Sequence, residues 1–168
     1  MGILIHRRSW LIGSAALLLA ALLAPAVAPA QPRAAPLLLV LMAASAGVSD
    51  IPRSTLRRAF EGYPAELERF RLIPFNYNVG VAARISMDRS LLGLEPSQVG
   101  RYWTDRKIRQ MLLPPRTITS VELMLRVLVS LNGAIGYAEM EPSAVPPGVR
   151  ALAVDGRKPS DPAYPLRR

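Results

Sequence analysis

Apolar residues crowd the start of the chain and then return at spacings that switch between strand and helix. Trp10 to Ala24 is an almost unbroken apolar run behind a basic head that carries Arg7 and Arg8. Ala28-Pro29-Ala30 follows it as a small-x-small cleavage pattern. Basic head, apolar stretch and small-residue site are the layout of a secretory signal, assigned here to residues 1–30. The run is shorter than the roughly 20 residues that a membrane span needs. Residues 31–36 read as a linker.

Leu37 to Met42 is a continuous apolar run, the mark of a strand buried on both faces in a mixed or parallel sheet. Ala43 to Arg53 reads as a loop. Ser54 fits an N-cap, and Leu56, Ala59 and Phe60 form the apolar stripe of a short helix that Gly62 ends. Tyr63 to Arg71 is charged and irregular; Glu66, Glu68, Arg69 and Arg71 read as a solvated face. Leu72 to Tyr77 is a second strand, with Pro74 pointing to an edge or an early ladder position. Val81 to Leu92 predicts a helix. Pro96 suits the first turn of the next helix, which runs to about Gln110 and buries Val99, Tyr102 and Trp103. After the break at Pro114-Pro115, Thr119 and Glu122 make a capping box. The helix they open carries Val121, Met124, Leu125, Leu128 and Leu131 on one stripe, widened by Leu123, Val127 and Val129, and is expected to lie largely buried against a sheet. Asn132-Gly133 stops it, and Ala134 to Glu139 returns as a strand. Strands alternating with helices predict an α/β domain over residues 37–141. Residues 142–168, rich in Pro and poor in large apolar residues, read as a flexible tail.

Composition narrows the chemistry. The chain has 168 residues, no cysteine and a single histidine, His6, which lies in the signal. Beyond residue 30 there is therefore neither His nor Cys. Ser-His-Asp and Cys-His nucleophile systems are excluded, and the usual zinc ligands are missing. No disulfide framework or lipid-anchored cysteine is available. No carboxylates form a recognisable catalytic pair, so the reading is a non-enzyme without metal or cofactor. Past the signal, 19 basic residues face 12 acidic ones. That excess reads either as a solvated surface or as attraction to an anion: phosphate, anionic lipid or a cell-wall polymer. Nucleic acid is not expected, because no basic-aromatic repeat accompanies the charge.

Four motifs occur in order: Phe60-Glu61-Gly62, Tyr102-Trp103, Pro114-Pro115 and Gly133-Ala134-Ile135-Gly136-Tyr137. The series resembles the short, single-domain kind of the phosphate-binding-protein-like family of periplasmic solute-binding domains. The resemblance implies a single lobe of a type 2 periplasmic binding protein, with a mixed sheet flanked by helices. It also implies a periplasmic location and service to a phosphate transporter of the ABC type. His6-Arg7-Arg8-Ser9-Trp10-Leu11-Ile12 further resembles a twin-arginine export signal, so either export route stays open.

In larger relatives hydroxyls, backbone N–H groups at helix N-termini and an arginine hold the oxyanion. The matching loop here is Asn76-Tyr77-Asn78-Val79-Gly80, which opens the helix containing Arg84. The resemblance thus names Asn76, Asn78, Gly80 and Arg84 as ligand-binding candidates: Asn78 to cap the helix, Gly80 to let a ligand approach, Arg84 to pair with its charge. The plainer reading makes Asn78 and Gly80 an ordinary turn and puts Arg84 in water. The loop lacks the family's Ser and Thr, and the family's Trp-x-x-Gly is absent from Tyr63 to Arg71. Two function classes follow. One is an exported, non-catalytic domain that binds phosphate or another anion and works with a membrane transporter. The other is an interaction or structural module of the cell envelope that keeps the scaffold without the anion site. A single lobe offers half a cleft, so tight capture would call for a partner or a dimer.

Overall fold

Leu37–Ala43 forms β1, and its neighbours explain its composition. In the computed structural model, which describes residues 37–167, β1 runs antiparallel to β7 (Ala134–Met140) on one side and to β8 (Val149–Ala151) on the other. An interior strand covered on both faces has no polar side, and Leu38 to Met42 are all buried. β5 (Ile73–Tyr77) pairs parallel with β7 and with β6 (Arg116–Ile118), so the five-stranded sheet has the order β6-β5-β7-β1-β8. The sheet is mixed. Two short pairs flank it: β2 (Asp50–Ile51) with β9 (Ala153–Val154), and the hairpin of β3 (Glu66–Leu67) with β4 (Phe70–Arg71). The hairpin falls where the charged stretch reads as irregular; Glu68, at φ 52°, makes its tight turn.

Helices cover both faces. Successive residues of β7 point to opposite sides. Gly136 faces α4 (Val121–Ser130), so closely that a Cβ there would lie 2.3 Å from the Met124 sulfur. Tyr137 faces the other way, with its ring 5.7 Å from Phe60 of α1 (Arg53–Phe60) and 5.3 Å from Tyr77. α2 (Ala82–Met87) packs on β1, β5 and β7 and runs straight into a wider, π-helical turn over Asp88–Leu92. α3 (Pro96–Gln110) docks on the end of α1: Arg106 lies over the rings of Tyr63 and Tyr102 and pairs with Glu61 at 3.6 Å.

The capping details differ from the sequence reading. α1 is capped at Pro52, not Ser54, because Asp155, distant in sequence, accepts from the Arg53 N–H at 2.8 Å. At α4 the cap is Ser120, not Thr119; its Oγ accepts from the Leu123 N–H at 3.2 Å. A reciprocal capping box does occur, at α3, between Glu95 and Gln98, with Pro96 at the first position as expected. Along α4 only Met124 and Leu128 are fully buried, each worth about 1.5–3 kcal/mol. Leu123, Leu125 and Val127 are half-buried and pack against the core, while Val121, Val129 and Leu131 are exposed, so the helix rests on the sheet by its middle and leaves both ends open. On α3 Val99 and Trp103 are buried, while Tyr102 is only half-buried.

The C-terminal stretch is part of the domain, contrary to the flexible tail expected for residues 142–168. β8 extends the sheet, the Leu152 N–H donates to the Val40 carbonyl at 2.8 Å, and Leu152, Val154, Tyr164 and Leu166 are buried. The segment has few large apolar residues, but it spends them inward, and its prolines shape turns rather than loosen the chain. The core therefore extends from Leu38 to Leu166. The signal and linker assignments lie outside the described residues.

Candidate functional site

β5 is the middle of three parallel strands, and the chain leaves it toward β6 before returning to β7 on its other side. In open α/β sheets such a switch point, at the carboxyl ends of the strands, is where ligands settle. Tyr77 and Ile118 form the last register pair of β5 and β6. The turn Asn78–Val81 and the link Thr119–Ser120 therefore leave the sheet side by side.

The four candidate residues divide there into an inner and an outer pair. Asn76 is buried; its Oδ1 accepts from the Tyr137 hydroxyl and from the Tyr77 N–H. Arg84 is only 3% exposed, so it neither faces water nor opens to the outside. Its Nε donates to Asp88 Oδ2 at 2.7 Å, and its Nη1 donates to the Tyr77 carbonyl at 3.0 Å. The negative charge that Arg84 meets is internal. Asn78 and Gly80 stay on the surface. Asn78 does not cap α2, whose cap position is Val81 without a side-chain bond; the Asn78 carbonyl accepts from the Val81 N–H at 3.3 Å. Gly80 is needed for its φ of 95°, and a Cβ there would meet nothing within 4 Å.

The electrostatics follow from this burial. Desolvation pushes the Asp88 carboxyl up, and the charge and hydrogen bond of Arg84 pull it partly back. Burial, followed by the Glu122 carboxylate, pushes the Tyr77 phenol up to about 12. Tyr137 is pushed well above the ordinary phenol range, again by burial, with Arg84 acting the other way. At these values both phenols are protonated at neutral pH. Such a cluster braces the turn above it.

Two residues of the site escape the sequence reading, and a third, Glu122, enters it only as part of a cap. Asp88 lies four residues after Arg84, an i,i+4 spacing that could have revealed the pair. Ser120 was hidden behind Thr119, the first residue of the presumed box. Glu122 sits in the first turn of α4, where its own backbone N–H and then the Ser120 hydroxyl hold its carboxyl below the usual range. The N–H groups that would welcome an outside anion at this helix thus already face a resident carboxylate.

Further clefts open elsewhere on the described residues, among them one of about 460 Å³ along α3 lined by Leu94, Ser97, Gln98 and Arg101. One of about 240 Å³ is lined by Gly62, Tyr63, Arg71, Pro115 and Arg116. Another of about 550 Å³ is lined by Ser49, Asp50, Arg150, Lys158 and Ser160. Among the described residues, no group of three or more His, Cys, Asp or Glu side chains could hold a metal ion.

Solved structures share this arrangement of strands and helices. An ABC-type phosphate transport receptor from Vibrio cholerae aligns over 78% of this chain and 53% of its own, with TM-score 0.60 and 13% identity. A putative phosphate ABC transporter substrate-binding protein from Clostridium perfringens, solved with bound phosphate, aligns over 74% of this chain and 47% of its own (TM-score 0.53, 13% identity). PstS from Borrelia burgdorferi aligns over 79% and 55% (TM-score 0.56, 13% identity). The fold is that of one periplasmic binding-protein lobe. This lobe spans about half the length of those receptors. No family model matches the sequence, and no curated protein matches it. The likeness at this identity concerns the fold alone.

Proposed function

We propose that this chain is an exported, non-catalytic solute-binding lobe that takes phosphate or a similar anion for an ABC-type transporter. The observation that carries the reading is the likeness of its fold to three phosphate receptors over most of this chain and half of theirs. In this reading residues 1–30 direct the chain to the periplasm and are removed. The anion sits where the Asn78–Gly80 turn meets the start of α4, taking the place of the Glu122 carboxylate on the backbone N–H groups and the Ser120 hydroxyl. Asn76 and Arg84 support that turn from beneath rather than touch the ligand. A second lobe, from a partner or another copy, closes the cleft.

A second reading has specific support: an envelope module that keeps the scaffold and has lost the anion site. Arg84 is committed to Asp88, and Glu122 occupies the helix terminus. Thermal unfolding of the chain from Gln31 onward, with millimolar phosphate against an equal ionic strength of chloride, separates the two. A ligand at a hundredfold excess over its Kd stabilises the folded form by about 2.7 kcal/mol, which a melting scan resolves. Binding at the proposed place also predicts a larger shift in Glu122→Gln, which removes the resident charge. If phosphate shifts neither protein, the envelope-module reading stands in place of the first.

A further inference from the structure

The outward face of α3 and the loop after it remain unused by either reading. Val99 and Trp103 turn inward, and Ile108, nine residues on from Val99, lies half a turn around the helix from it. Ile108 is 74% exposed, Met111 87% and Leu113 62%. Three large aliphatic side chains within six residues thus stand in solvent. Met111 ends the helix at φ 56°, a left-handed conformation normally left to Gly or Asn. A bulky apolar residue held there is unusual enough to ask what it serves.

The charge around these residues is one-sided. Arg101, Lys107, Arg109 and Arg116 are exposed, and none makes an ion pair among the described residues. Asp105 is the single acid between Pro96 and Arg116. The 240 Å³ cleft beside Leu113 adds Arg71 to Arg116 on its wall. Protruding aliphatics ringed by cations are the chemistry of a surface that enters the headgroup layer of an anionic bilayer. A second copy of this chain fits poorly, because facing two such patches would set cation against cation. No helix among the described residues is long and apolar enough to cross a membrane, so the contact is interfacial.

We propose that Ile108, Met111 and Leu113, with Lys107, Arg109, Arg101 and Arg116 around them, dock this lobe on an anionic lipid surface. The inference is independent of which anion the lobe carries. It is tested with the chain from Gln31 onward, which contains the whole core, in co-sedimentation with vesicles of phosphatidylglycerol and phosphatidylcholine. Binding is expected to the mixed vesicles, to weaken with salt and to vanish on pure phosphatidylcholine. Reversing one exposed cation, as in Lys107→Glu or Arg109→Glu, lowers it at least about fivefold. Ile108→Ser/Met111→Ser/Leu113→Ser lowers it further at unchanged circular dichroism, since all three side chains are exposed. Arg150→Glu/Lys158→Glu, on the 550 Å³ cleft beside Asp50, leaves it intact. Four results overturn the proposal: no binding to anionic vesicles; equal loss in the Arg150/Lys158 control; a triple serine variant that binds like the parent; or a dimer held by these same residues in sedimentation velocity.

Discussion

Replacing Arg84 separates an internal support from a ligand-binding arginine. Arg84→Met keeps most of the side-chain volume and leaves Asp88, which is 3% exposed, without its counter-charge. Breaking a buried pair from one side costs about 3–5 kcal/mol. A domain of this size has roughly 5–15 kcal/mol in all, so the loss is large. The cost also has a pH signature. Burial already raises the Asp88 carboxyl, and the charge and hydrogen bond of Arg84 are what lower it. Without Arg84 it rises further. Below the unfolded value, about 3.9, both states hold the proton and the penalty is small. Between that value and the raised folded one, the folded state binds more protons, so stability falls as pH rises, by up to about 1.4 kcal/mol per unit. The variant's deficit is therefore smallest near pH 4 and widest near pH 8. Urea unfolding followed by circular dichroism at several pH values measures it. Arg84→Met/Asp88→Leu should recover most of the loss, because exchanging a buried pair for apolar groups is often neutral. A single variant that loses less than about 1 kcal/mol at neutral pH, or a deficit flat across pH, refutes the internal role.

Two pairs of substitutions test a tight place and a helix cap. Gly133→Ala should cost about 3 kcal/mol, because φ there is +80° and the new Cβ would lie 2.2 Å from the Arg71 carbonyl oxygen, rigid backbone on both sides; Gly80→Ala, with open space, should lose only the backbone part in the same urea titration. Ser120→Ala should lose about 1 kcal/mol while Thr119→Ala loses little; the reverse order in thermal melts would return the cap to Thr119.

The elements that announce themselves in the sequence are those whose period is set by one dominant surface. β1 is apolar throughout because two neighbouring strands and two helical layers enclose it, and its run is readable without any structure. α3 is legible from Pro96 and from the Val99–Trp103 spacing. The tail was not, because it contributes single apolar residues to a core built elsewhere, and no window of sequence contains the stripe that Leu152, Val154, Tyr164 and Leu166 complete. The cap of α1 was illegible for the same reason: its acceptor, Asp155, lies 102 positions away. At the candidate site the loop itself was found, but not the direction of its side chains. An arginine one turn into a helix is equally consistent with a ligand, with solvent and with an interior carboxylate. Asp88, one helical turn on, decides between them, and its i,i+4 spacing was the one clue the sequence offered.

The place of β1 bears on how the molecule can be made. Synthesis proceeds from the amino end, yet this first strand bonds only to the last two strands of the main sheet. Until β7 and β8 have emerged from the ribosome, β1 has no strand to pair with, and only α2 and α4 can cover its leucines. The sheet around β1 is therefore among the last parts of this domain to close, whatever the order in which its helices form.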